Sequence, residues 1–157
     1  MFILSIRASS VKFFTVMALA LVILTGLILS GATVYAAADG EIDFSGIKTE
    51  DDRRAFINRC GISLKAGEEK VDFVMPENFD RVMLGYNEIQ KLQGLDLAKY
   101  SRKRVTRYTY EVEGYPDYEG KVNATLLVYR NRIIGCDISS ADPEGFVKPL
   151  VANNGIG

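Results

Sequence analysis

The chain has 157 residues, a formal net charge of −1, two cysteines, and neither histidine nor tryptophan. Without histidine it has no Ser-His-Asp or Cys-His catalysis, no histidine-bearing zinc site and no ordinary proton shuttle near neutral pH. Two cysteines alone cannot close a structural zinc site, and with no Walker loop and no GxGxxG no phosphate cradle is expected.

No charged residue lies between Lys12 and Asp39. The strongly apolar run Phe13 to Leu29 exceeds the roughly 7–15 residues of a cleavable signal peptide. With the softer Ser30–Ala38 stretch it reaches the roughly 20 residues that span a bilayer as a helix, and a helix satisfies its own backbone groups in lipid. A transmembrane anchor over residues 13–38 is therefore expected. The alternative is a signal peptide, because small residues at Val34-Tyr35-Ala36 and Ala36-Ala37-Ala38 suit cleavage after Ala36 or Ala38. Arg7 and Lys12 precede the run, while Asp39, Glu41 and Asp43 follow it. Residues 1–12 are then cytoplasmic and everything past Ala38 is outside the cell, single-pass or secreted.

Past Ala38 lie all 20 acids and 19 − 2 = 17 bases, a net charge of −3. That is enough chain for one modest domain, and too little positive charge for a nucleic-acid partner. Residues 39–48 read as a polar tether, 49–150 as the domain and 151–157 as a loose tail. Thr49 and Asp52 form a capping box that starts a short helix carrying Phe56 and Cys60, and Gly61 suits a left-handed stop. "KVDFVMP" alternates as a half-buried strand ended by Pro76, which can open the next helix. Phe79, Val82, Met83, Tyr86 and Ile89 mark one face of that helix, Gly94 terminates it, and Asp96 caps a further turn. Three strands follow. Thr106, Tyr108, Tyr110 and Val112 share a face of the first, and Val122, Ala124, Leu126 and Val128 a face of the second. Ile134, Cys136 and Ile138 point inward on the third, and Asn131 turns the hairpin before it. The expected architecture is α+β: a transmembrane helix, then a small antiparallel sheet (a three-stranded meander plus a further strand) covered on one face by helices.

No catalytic, cofactor-binding or metal-ligating residue is assigned. Asp39, Glu41, Asp43, Ser45 and Glu50 match calcium-loop positions, but Phe44 stands where the loop needs glycine. Glu111, Glu113, Asp117 and Glu119 would serve a hydrolase using paired carboxylates, the alternative to a solvated hairpin end. Lys99, Arg102, Lys103, Arg104 and Arg107 crowd a strand start, where they suit anionic polymer or headgroups or keep an edge soluble. The candidate binding surface combines Arg102, Lys103 and Arg104 with Tyr115 and Tyr118, which flank Pro116 on a loop. Cys60 and Cys136 are compatible with one disulfide or with two buried thiols.

"YNEIQKLQGLDLAKY" (86–100), "RYTYEVEGYP" (107–116) and "LLVYRNRIIGCDIS" (127–139) resemble the bacterial family catalogued as domain of unknown function 4830. The likeness also takes in "VMPENFD". It implies a small membrane-anchored protein of Gram-positive, clostridial-type bacteria, with one extracytoplasmic domain, and carries over no activity or site residue. Cys136 stands where the family pattern leads one to expect a second glycine, and Cys60 at an ordinary apolar position, which favours their pairing. The function expected is non-catalytic binding at the cell envelope, with an envelope protein, an anionic wall polymer or a small ligand as partner. Alternatives are an anchored or secreted hydrolase and an accessory subunit of an envelope sensor.

Overall fold

The computed structural model describes residues 42–151. The segment 13–38, read as anchor or signal peptide, and residues 152–157 of the expected tail lie outside the described residues. Among the described residues no helix is long and apolar enough to cross a membrane. Strands β1 (Glu69–Val74), β2 (Arg104–Glu111), β3 (Val122–Tyr129), β4 (Arg132–Ser140) and β5 (Val147–Pro149) form one sheet in that order, every neighbour antiparallel. Helices α1 (Glu50–Arg59) and α2 (Arg81–Lys91) and a 3₁₀ turn, Leu97–Tyr100, pack against it. The fold is α+β, with a meander of five strands where three plus one were expected.

Local chemistry sets the helix ends. Thr49 Oγ1 accepts from the Asp52 N–H at 3.2 Å while the Asp52 carboxylate accepts from the Thr49 N–H at 2.8 Å, closing the capping box. The second helix does not begin at Pro76. Asp80 caps it, its carboxylate accepting from the Met83 N–H at 2.8 Å, because an oxygen that satisfies an orphan donor outweighs a preset φ. The β3–β4 link is a two-residue turn through Arg130 (φ 47) and Asn131 (φ 62), the conformation that follows the twist of paired strands.

Two corrections concern the core. First, both sheet faces are apolar at the centre. Phe56 and Ile57 of α1 cover Tyr110, Ala124, Leu126, Cys136 and Ile138 on one face. Met75 and Leu97 cover Val105, Leu127 and Ile134 on the other. The register shifts between Leu127, opposite Gly135, and Val128, opposite Ile133, so Ile134 is an extra residue. That bulge turns Ile134 to the second face and gives its expected place to Ile133. Second, the polar stretch from Phe44 and the first tail residue, Val151, pack into the domain. Phe44 and Ile47 are buried, the Phe44 carbonyl accepts from the Ile133 N–H at 2.8 Å, and the Ile47 N–H donates to the Asn131 carbonyl at 2.9 Å. Leu150 and Val151 are buried too. The packed unit thus begins before Thr49.

Helix α2 departs most from its apolar pattern. Val82 is 79% exposed, and the helix residues it buries are Asn87 and Gln90. Asn87 accepts from the Leu97 N–H at 2.7 Å and donates to Asp96 at 3.0 Å. Met83 and Tyr86 of the expected face pack against the second core, while polar contacts pin the 3₁₀ turn and the edge of β4.

Candidate binding cleft

The sheet has two ends. Val74, Arg104, Tyr129 and Arg132 mark the hairpin end, and Glu69, Glu111, Val122 and Ser140 the loop end. At the loop end the chain between β2 and β3 turns through Gly114 (φ 63) and Asp117 (φ 59). This brings Tyr115 and Tyr118 onto Phe146, each with ring centroids 5.3 Å away, the first stacked and the second edge-on. The Tyr118 hydroxyl donates to Asp142, a bond that raises its pKa. Its ring lies against Gly120 so closely that a Cβ there would stand 2.6 Å from Cε1; only glycine leaves that space.

Beside the tyrosines opens a cleft of about 440 Å³, its walls including Lys65, Glu111, Tyr115, Tyr118, Glu119 and Lys121. Lys65 Nζ donates to Glu111 Oε1 at 2.6 Å, and Lys121 Nζ stands 3.4 Å from Oε2. The Lys65 bond, aided by Lys121, holds the Glu111 carboxyl below its ordinary range, and the same bond raises Lys65. Glu111 is thus a fixed anion between two ammonium groups, which suits an ion-pair anchor rather than a proton donor.

The structure divides the expected binding surface. Tyr115 and Tyr118 come together at the loop end. Arg102, Lys103 and Arg104 sit at the hairpin end, with the length of β2 between. Arg102, at φ 61, pairs with Glu77, and Lys103 and Arg104 are exposed. Of the four loop carboxylates, Glu111 and Glu119 line the cleft, while Glu113 and Asp117 do not. Sequence inspection missed Lys65, Lys121, Asp142 and Phe146 as parts of this site. Lys121 precedes an alternating strand and was within reach; Lys65 meets Glu111 across 46 residues, a distance no local pattern spans.

Two buried polar groups lie elsewhere. Arg53 donates to Tyr110 at 2.8 Å and to Glu68 at 3.0 Å, with its guanidinium 3.7 Å from the Tyr108 ring centroid. Burial pushes Glu68 up, but bonds from Tyr110 and Arg53 outweigh it and leave the carboxyl lowered. On the second face, Asp137 accepts from Tyr86 at 2.5 Å; burial raises its pKa despite Tyr86, Ser139 and the nearby Arg107. Cys60 and Cys136 are free thiols within one core. Burial lifts Cys60 to about 11 and Cys136 well above its usual range. Among the described residues no group of three or more Cys, Asp or Glu is placed to hold a metal, and the Asp43 carboxylate instead accepts from the Ser45 N–H at 2.8 Å.

A five-stranded α+β domain with an aromatic-walled, ion-paired cleft at one end is the class this geometry defines. Residues 56–138 match the family described as domain of unknown function (DUF4830), and the chain belongs to that family. No curated protein and no solved structure matches it.

Proposed function

We propose that the domain is a non-catalytic binding module of the cell envelope, held there by residues 13–38, and that its ligand seats in the cleft at the loop end. The observation that carries this is the Lys65–Glu111–Lys121 arrangement beside Tyr115 and Tyr118. Two ammonium groups share one carboxylate, so an anionic group on the ligand gains a cation without separating the fixed pair, while the tyrosine rings offer apolar contact with polar tips. An anionic wall polymer has this chemistry. The apolar run before Asp39 supports the location, since it would carry the domain across the membrane whether kept or cleaved.

The test is retention of the full chain on purified wall polymer at moderate salt. Lys65→Ala with Lys121→Ala should abolish most of the retention, while alanine at Arg102, Lys103 and Arg104 should leave most of it. The reverse pattern would move the contact to the hairpin end, and undiminished retention of both variants would remove the polymer as ligand.

A further inference from the structure

The outer edge of β1 is open, and its residues have a particular phase. Met75 donates to the Lys103 carbonyl and accepts from the Arg102 N–H, both at 2.9 Å, so its backbone faces β2. At the far end the Glu111 carbonyl accepts from Lys65 at 2.9 Å, while the Val112 N–H turns the other way to the Val122 carbonyl. Antiparallel ladders alternate. Glu69, Val71 and Phe73 therefore spend their backbone groups on Thr109, Arg107 and Val105, and Lys70, Asp72 and Val74 point theirs outward. Among the described residues no other segment takes them up. Every residue of β1 except Phe73 is exposed. By contrast, the opposite edge of β4 is closed by β5 and by Gln90 and Gln93.

We propose that β1 pairs with β1 of a second copy, antiparallel about a two-fold axis through Val71, joining two sheets into one. The phase and the charges together select this register. Outward residues must oppose outward residues, so the axis can pass through a residue of β1 but not between two. Centred on Lys70, the pairing sets Lys70 against Lys70 and Glu68 against Asp72. Centred on Asp72, it sets Asp72 against its own copy. Centred on Val71, it sets Lys70 of each copy against Asp72 of the other, so opposite charges meet twice at hydrogen-bonded positions. Val71, 37% exposed in the single chain, then meets its own copy at the closer, non-hydrogen-bonded spacing. Lysine and acid on an edge ordinarily repel chance partners; in this register they attract.

The test uses the full chain. With Val71→Cys, two copies bring their Cα atoms to about 4.5 Å, within disulfide reach, and mild oxidation should convert most of the protein to a covalent dimer. Glu69→Cys, on the same face, leaves its copies about 13 Å apart and should stay uncrosslinked, as should the unaltered chain with its native thiols. In sedimentation, Asp72→Lys should weaken self-association by about tenfold or more, and Lys70→Asp with Asp72→Lys should restore it to within about threefold. Equal crosslinking of both cysteine variants, no crosslinking of Val71→Cys, or unaltered association of Asp72→Lys would overturn the proposal. Should Asp72→Lys fail to fold, having lost the bond from Thr106, the two cysteine variants decide alone.

Discussion

The side chain of Gln93 holds Cys136 by both ends of its amide. Nε2 donates to the Cys136 carbonyl at 2.8 Å, and Oε1 accepts from the Cys136 thiol at 3.2 Å and from the Val151 N–H at 2.9 Å. Gln90 adds an acceptor for the Cys136 N–H at 2.8 Å. Because β5 pairs only with Asp137, Ile138 and Ser139, the two glutamines complete the edge of β4 where strand pairing stops. Gln93→Leu would leave a buried carbonyl and a buried N–H without partners, and unsatisfied groups of this kind cost about 1–3 kcal/mol each. Urea unfolding should therefore show a loss of about 3 kcal/mol, far above that of Lys91→Ala on the exposed side of α2.

Tyr86 and Asp137 make a second test, with a definite sign in pH. Tyr86→Phe strips the buried carboxylate of its donor and should cost about 1.5–3 kcal/mol at pH 7. The folded pKa of Asp137 is raised above 3.8, so the folded state holds a proton that the unfolded state releases. Stability from this group is thus full below pH 3.8 and falls as pH rises through the folded pKa. Asp137→Asn should raise the melting temperature at neutral pH, and the gain should vanish below pH 3.8.

Glu68 has the opposite sign. Its folded pKa lies below 4.5, so its bonds to Arg53 and Tyr110 stabilise fully above pH 4.5 and fade as pH falls through the folded value. Glu68→Gln should flatten the acid limb of a stability profile and lower the plateau above pH 4.5, where the lost charge counts in full. An acid limb identical to that of the unaltered chain would show that the cluster contributes nothing through its charge.

How much of this could be read from the chain depended on the range of the interaction. The capping box at Thr49, the left-handed Gly61 and Gly94, the turn at Asn131 and the faces of β2 and β3 are local, and all are visible in spacing. Ile134 was misplaced because a bulge is decided by the partner strand, not by the strand's own alternation. "TLLV" in β3, with Leu126 in one core and Leu127 in the other, was the available sign that both faces are buried. The pattern on α2 misled in part, for a physical reason: Phe79, Met83 and Tyr86 pack against the second core, but Val82 stays exposed while Asn87 and Gln90 go in, since the sheet edge they meet needs hydrogen bonds more than apolar area. Tyr115 and Tyr118 were found by composition, but their separation from Arg102 follows from the direction of β2, which no spacing displays.

Gly120→Ala tests the cleft wall. A Cβ 2.6 Å from the Tyr118 ring must push it off Phe146 and away from Asp142. Ligand retention should fall severalfold, while the melting temperature moves little, because Tyr118 lies at the surface. A large drop in melting temperature would mean that the aromatic trio stabilises the domain rather than shaping the cleft.

The two thiols offer a check on burial. Burial holds Cys60 at about 11 and Cys136 well above its usual range, so little thiolate exists at pH 8. A soluble thiol reagent should label both slowly in the folded protein, Cys60 before the fully buried Cys136, and both at once in denaturant without added reductant. Labelling only after reduction would show instead that they are bonded to each other.

Phe44 and Ile47 fasten the incoming chain to Ile133 and Asn131, at the hairpin end of the sheet. Residues 44–47 thus close the hairpin end beside Arg130 and Arg132, and the tyrosine-walled cleft is at the other pole of the domain. The two poles share no residue, so Phe44→Ala can loosen the hairpin end without touching the cleft wall.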